Sequence, residues 1–363
     1  MRILGIETSC DETSAAVVEE TGDEAKPWVT RSNIVASQVS IHREWGGVVP
    51  ELASRQHIRD ICGVVERALD DANTTWRDLG AIAVTQGPGL VGSLLVGVSF
   101  AKAAAVAAHL PLVAVHHLAG HIESLVLQNG EMPLPAVVLV VSGGHTSLYL
   151  VEAAGRYVIV SRTRDDAAGE AYDKVAKLLG LGYPGGPAID RLSQRGNDRA
   201  VPLPTTRLTH ADRNRPELKG DLDFSFSGLK TAVLRYVGKK RTEVFLTDDA
   251  AQKGSRPFFS EQEIADICAS FQRSVVTVLI DRVFDAARRY QAKSIGVAGG
   301  VSANSRLRAE LAEHGRLREI PTFLPSLQLS TDNAAMIAAA GLRKFRAGVT
   351  APLDINADAA LAL

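Results

Sequence analysis

The sequence predicts an α/β fold built twice, with two lobes facing each other across a central cleft. Three observations predict it. Near the start, the apolar runs 3–6 and 15–18 flank a small polar turn, Glu7-Thr8-Ser9-Cys10-Asp11-Glu12-Thr13-Ser14. The same design returns where the apolar runs 137–141 and 148–151 flank Ser142-Gly143-Gly144-His145-Thr146-Ser147. Around both hairpins, apolar runs of strand length alternate with stretches of helix length. A strand, small-residue turn and strand repeated at the head of comparable lengths of chain indicates internal duplication. In such a pair the two tips face each other and pinch the phosphates of a nucleotide, and glycine lets the backbone come close.

The chain has 363 residues, 46% of them hydrophobic and 22% charged, which is enough for two lobes. A net charge of -1 gives no global attraction to nucleic acid or membrane, so any polyanion contact must be local. Cys10, Cys62 and Cys268 are widely spaced and odd in number, and read as reduced thiols of a cytoplasmic protein. The chain opens on a strand-like run rather than a signal peptide. No apolar run is expected to reach membrane-spanning length, since the stretch 101–114 is short and carries Lys102 and His109.

In order along the chain, the first hairpin is followed by Gly46-Gly47-Val48-Val49-Pro50-Glu51, a turn into a helix over about 52–69. A strand at 81–85 leads through Gly87-Pro88-Gly89-Leu90-Val91-Gly92 into an apolar helix ending near Ala108. The glycine spacing matches a dinucleotide fingerprint, but the acidic residue expected about 20 residues on is replaced by Leu112-Val113-Ala114-Val115. Tight strand–helix packing beneath the cleft is the better account of these glycines.

The strand 112–115 delivers His116-His117-Leu118-Ala119-Gly120-His121 at its carboxyl end, where open α/β sheets bind ligands. On a helix, His117 and His121 share one face and can converge on one metal ion. They can equally be polar helix residues satisfied locally, and His116 competes for the inward position. A zinc peptidase would need Glu after the first His, and Leu118 stands there.

In the second half, Asp165 to Lys174 leads into a helix with Asp173 in its first turn. Gly182-Tyr183-Pro184-Gly185-Gly186-Pro187-Ala188-Ile189-Asp190 reads as a rigid loop suited to a ribose or base. Arg191, Arg195, Arg199, Arg207, Arg213, Arg215 and Lys219 form a local polyanion patch or a solvated surface. Residues 239–256 read as an exposed loop and 264–289 as a long helix. The strand 294–298 meets Gly299-Gly300-Val301-Ser302-Ala303-Asn304, a junction that offers N–H groups to a nucleotide but lacks the P-loop lysine. Asp332 stands before the alanine-rich helix 334–345, either as its N-cap or as a third metal ligand.

These motifs, with His42, Phe224-Ser225-Phe226-Ser227-Gly228-Leu229-Lys230 and Thr331-Asp332-Asn333, occur in an order that spans nearly the whole chain. Together they resemble the bacterial branch of the tRNA N6-adenosine threonylcarbamoyltransferase family, formerly the O-sialoglycoprotein endopeptidases. Ser330 and Ala334 depart from the family's usual Cys and Gly. The resemblance implies the acetate/sugar kinase–Hsp70–actin fold, with a first lobe over 1–133, joined by the segment from about 325, and a second over 134–324. It implies that His117, His121 and Asp332 hold one Fe2+ per subunit, with Zn2+ as the alternative. Val140, Val141, Ser142, Gly143, Gly144, Asp173, Gly186, Asp190 and Asn304 carry over as substrate contacts. The implied reaction moves threonylcarbamoyl from threonylcarbamoyl-AMP to N6 of adenosine 37 in tRNAs that read codons beginning with A, releasing AMP. The implied partners are an inactive paralogue of the same fold and a small P-loop ATPase, with no membrane.

A mixed carbamic–phosphoric anhydride is already activated, so the reaction requires positioning, charge stabilisation and a route for the amine proton. Asp11 or Glu12, on the first tip, is expected to accept or orient the amine proton, the alternative being that they only bind a partner or a cation. A metal-dependent ATPase or kinase of the same fold is the alternative, and would need Mg2+ but no tRNA. A non-catalytic scaffold is a third reading, opposed by the intact His117, His121 and Asp332 set.

Overall fold

The computed structural model describes residues 1–211, 218, 220–247 and 258–363. Their element order is β1 (Arg2–Glu7), β2 (Glu12–Glu20), β3 (Trp28–Ser37), α1 (Val39–His42), α2 (Pro50–Asp71), β4 (Leu79–Gly87), α3 (Val91–Ala108), β5 (Leu112–His116) and α4 (His117–Asn129). There follow β6 (Ala136–Val141), β7 (Thr146–Ala153), β8 (Arg156–Arg162), α5 (Ala168–Leu178), α6 (Gly185–Ser193), α7 (Ser227–Thr247) and α8 (Glu261–Arg289). The chain closes with β9 (Ser294–Ala298), α9 (Ser305–Leu317), β10 (Thr322–Phe323), α10 (Leu327–Ser330) and α11 (Ala334–Arg346).

The duplication is visible in the strand orders, β3-β2-β1-β4-β5 in one sheet and β10-β9-β6-β7-β8 in the other. Each sheet centres on its first strand, which pairs antiparallel with the next one and parallel with a later one. Registers match as well: Ile3 faces Val18 and Ile6 faces Ala15, while Val137 faces Leu150 and Val140 faces Ser147.

Alternation along β1 decides which helices lie where. Leu4 and Ile6 point to a core shared with α2 and α3, and Ile3 points to one shared with α11. Alanines at 334, 335 and 338–340 let α11 lie very close to the first sheet; a Cβ on Gly5 would strike the Ala334 carbonyl. In the second sheet, Val137, Leu139 and Val141 pack with α5, α7 and α8, while Val138 and Val140 pack against Leu118, Ile122 and Leu125 of α4. α4 and α11 therefore pack together between the two sheets, and both begin at the same end.

The sequence expectations need four corrections. Asp173 lies in the second turn of α5 rather than the first. The Gly/Pro loop ends at Pro184, so Gly186 and Asp190 are helical. The expected loop from Lys239 is helix as far as Thr247, and residues 248–256 lie outside those described, as do Arg213, Arg215 and Lys219. α3 is long and apolar enough to span a membrane by length and composition, contrary to expectation, but its Val98, Ala101 and Ala105 face the first sheet's core. Three strands, β3, β8 and the two-residue β10, had no counterpart in the sequence reading.

Candidate functional site

His117 opens α4 directly after β5. Its neighbour His116 is spent on structure: Nδ1 accepts the Leu118 N–H at 3.1 Å as the helix N-cap, and Nε2 lies 3.0 Å from the Leu361 carbonyl. Burial drives His116 down to about 4, against the pull of that carbonyl, so it is a neutral strut. The inward pair is thus His117 and His121, with ring centroids 4.8 Å apart.

Asp332 arrives from the turn between α10 and α11. Its Oδ1 lies 3.5 Å from His117 Nε2 and 3.2 Å from His121 Nε2. It is not the cap of α11, because Asn333 takes that role by accepting the Met336 N–H at 3.1 Å. Among the described residues, neither ring nitrogen of the fully buried His121 has a hydrogen-bond partner. Buried polar atoms are rarely left so, and a metal ion at Nε2 accounts for one of them. One donor atom from each of the three residues lies within 4.8 Å of the others. Ligands of a tetrahedral ion at about 2 Å lie roughly 3.3 Å apart. Two imidazoles and a carboxylate fit a divalent ion of borderline softness.

Burial opposes a charge on His117, but the carboxylates of Asp332 and Glu7 outweigh it and hold the ring at about 9. Burial likewise works to raise Asp332, yet His117 and His121 hold it far below the ordinary carboxylate range. A metal entering this site displaces a proton from His117, so its affinity rises with pH. Glu7 is a residue that the sequence reading passed over as part of a turn. It is wholly buried and lies 3.1 Å from His117 Nδ1. A carboxylate closing an apolar strand was the available signal.

The first tip is clamped by its backbone. The Ser9 carbonyl accepts the Leu90 N–H at 2.8 Å, and the Asp11 carbonyl accepts the Gln38 N–H at 2.9 Å. His57 Nε2 reaches the Cys10 carbonyl at 3.0 Å. A Cβ on Gly89 would stand 2.6 Å from the Ser9 oxygen, so this glycine serves close packing under the tip, as expected from the sequence. Asp11 is buried and Glu12 half-buried. Burial, then the charges of Asp11 and Asp332, push the Glu12 carboxyl well above its usual range.

The second lobe faces this tip. Burial, and after it the Asp11 charge, raises Asp173 even though the Gly185 N–H donates to it at 2.7 Å. The second tip closes through the Ser142 N–H on the His145 carbonyl at 2.8 Å and leaves Gly143 and Gly144 exposed. His145 is pushed down to about 4 by burial and then by the charges of His117 and His121. The side chains of Val140 and Val141 lie in the core, leaving only their backbone to lead into the tip. Asp190 accepts from Ser305 Oγ at 2.7 Å and from the Ser305 N–H at 3.1 Å. Gln272, also missed in the sequence, joins Asp190 to Asn304. Asn304 in turn caps α9 through the Leu307 N–H at 3.0 Å. Asp190 and Asn304 thus form one cross-braced floor, while Asp173 anchors the start of α6.

Matched sheets, opposed tips and a His–His–Asp cluster at the starts of α4 and α11 define a two-lobed protein of the acetate/sugar kinase–Hsp70–actin class. The crystal structure of full-length HypF in its phosphate- and nucleotide-bound form shares this fold, with a TM-score of 0.56 and 13% identity over 95% of this chain and 55% of that one. The family model for tRNA N6-adenosine threonylcarbamoyltransferase matches residues 29–339. The protein of that name from Anaeromyxobacter sp. (strain Fw109-5) is 50% identical over 99% of both chains. The one from Bacillus subtilis (strain 168) is 48% identical over 100% of this chain and 96% of its own. The chain belongs to the tRNA N6-adenosine threonylcarbamoyltransferase family.

Proposed function

We propose that this chain transfers threonylcarbamoyl from threonylcarbamoyl-AMP to N6 of adenosine 37 in tRNA, with the cleft as the reaction chamber. The observation that carries the reading is the convergence of His117, His121 and Asp332 beside the Asp11–Glu12 tip. The N6 amine forms a bond to the carbamoyl carbon, the bond from that carbon to the phosphate oxygen breaks, and AMP leaves. No protein nucleophile is required, because the donor is an anhydride. Asp11 and Glu12 orient the amine and take its proton, and a carboxyl raised by burial is the stronger base. The backbone N–H groups of Gly143 and Gly144 at the second tip face the donor's phosphate. Asp173, Gly186, Asp190 and Asn304 shape the nucleoside pocket, Asp190 and Asn304 from their braced floor.

His117, His121 and Asp332 would hold the metal, Fe2+ or Zn2+ by donor type. When bound it supplies positive charge that anchors and polarises the donor. The first lobe is assigned to 1–133 with the segment from about 325, since α11 lies on the first sheet, and the second to 134–324. The inactive paralogue is assigned to the α2–α3 pair, where Ile58, Val91, Leu95 and Val106 are exposed apolar side chains. A small P-loop ATPase and a cytoplasmic setting complete the proposal.

The test is a transfer assay with the partner proteins, threonylcarbamoyl-AMP and tRNA carrying an unmodified adenosine 37, read by mass spectrometry of the digested nucleosides. Threonylcarbamoyladenosine formed by the wild type and lost with Asp332→Ala supports the proposal. Absence of product from a metal-loaded, partner-complete wild type overturns it, and Mg2+-dependent phosphoryl transfer without tRNA would put the kinase reading in its place.

A further inference from the structure

Glu7 is wholly buried at the end of β1, and its two oxygens meet three donors. Oε1 accepts the Ser9 N–H at 2.5 Å. Oε2 accepts the Thr85 hydroxyl at 2.6 Å and lies 3.1 Å from His117 Nδ1. We propose that Glu7 is the positioning residue of the metal centre, holding a proton on Nδ1 of His117 so that Nε2 is the nitrogen whose lone pair meets a bound ion. This rests on the metal reading given above and adds to it a residue that is not itself a ligand.

A carboxylate can only accept, so the ring nitrogen facing it must donate. The other nitrogen of the neutral ring then carries the lone pair that a metal needs. The neighbours leave no alternative geometry. Thr85 comes from β4 and His117 from α4, so Glu7 ties three elements of the first lobe to one ring. Ser9 Oγ lies 3.2 Å from the same Nδ1 and can share its proton, but a hydroxyl both donates and accepts and cannot dictate the tautomer. His121 has no such partner, its ring nitrogens making no hydrogen bond among the described residues. The orientation of the pair is therefore set through His117.

The substitution that isolates this role is Glu7→Gln, which keeps the shape. Its single carbonyl oxygen is claimed by the Ser9 N–H, which can only donate. The amide NH2 then faces Thr85 Oγ, which can turn to accept, and His117 Nδ1, which must accept. The proton moves to Nε2, where it blocks the metal. The expected result is a Zn2+ dissociation constant, measured by chelator competition, weakened roughly 10- to 100-fold. The unfolding midpoint in excess chelator should stay close to that of the wild type.

A second measurement needs no variant. Ring 15N spectra of the Zn2+-loaded wild type should show His117 protonated at Nδ1. Zn2+ affinity of Glu7→Gln within twofold of wild type, or an Nε2–H tautomer in the wild type, overturns the proposal. If Glu7→Gln does not fold, the wild-type spectrum decides alone. Zn2+ binding by the wild type that His117→Ala leaves undiminished would instead remove the metal site itself, and the proposal with it.

Discussion

Gly5→Ala tests whether the packing of the first lobe sets the geometry of the cluster. Gly5 sits in β1 beneath the first turn of α11. A Cβ there would strike the Ala334 carbonyl and come within 2.8 Å of both the Cβ and the backbone nitrogen of Ala338. These neighbours are backbone or rigid methyl, so no rotamer change relieves them. Restoring ordinary contact near 3.5 Å requires a displacement of about 1 Å. The start of α11 is also held by Ser14 Oγ on the Ala334 N–H at 2.8 Å, so the shift strains that bond or pushes β1. Overpacking of this kind costs about 1–3 kcal/mol. At about 2–4 °C per kcal/mol for a unit of lobe size, the expected loss is roughly 2–12 °C in Tm.

Asp332 lies two residues before Ala334, and metal sites tolerate only about 0.2 Å of error in ligand distance. Gly5→Ala should therefore weaken Zn2+ binding at least tenfold while the chain stays folded. The assays are calorimetric unfolding and chelator competition at 20 °C below the variant's own midpoint. An unchanged Tm would refute the packing argument. A lowered Tm with unchanged Zn2+ affinity would refute the coupling between α11 and the site.

Three further outcomes follow from the same structure. Asn333→Ala removes the cap of α11 and should cost about 1 kcal/mol in denaturant unfolding, whereas Asp332→Asn, with no capping role, should lower metal affinity at a smaller cost to the metal-free fold. Arg343→Met leaves the buried Glu123, which Arg343 meets at 2.7 Å, without its cation, and should cost about 3 kcal/mol by the same measurement. Glu12 binds its proton more tightly in the fold than in the unfolded chain, so the stability it adds is present at low pH and is lost as pH rises through its raised value. Transfer by the wild type should accordingly show an acid limb above the usual carboxylate range. Ser37→Ala, which removes a hydroxyl bonded to Glu12 at 3.2 Å, should move that limb to higher pH, and a limb that stays put would count against Glu12 as the proton acceptor.

Much of this architecture is legible in the chain because burial imposes period. Ile3 to Ile6 and 137–141 are apolar without interruption, as central strands buried on both faces must be. β3 and β8 escaped because polar residues break β3 in its middle and arginines end β8, and edge strands look like loops when one face is wet. The helix over 239–247 escaped because Lys239, Lys240, Arg241 and Thr242 lack an apolar face. His117, His121 and Asp332 were readable from spacing and position. Glu7, Gln272 and the strut role of His116 were not, because each acts through a partner far along the chain: His117, Asn304 and Leu361. The choice between Asp332 as cap and Asp332 as ligand needed the Asn333 side chain to be seen in place.

The most direct measurement is metal content and transfer on paired samples of wild type and His117→Ala, purified identically and assayed with the same partners, donor and tRNA. One metal ion per chain and threonylcarbamoyladenosine are expected in the wild type, with both lost in the variant while its folded state persists. Full product from a metal-free His117→Ala would contradict this expectation.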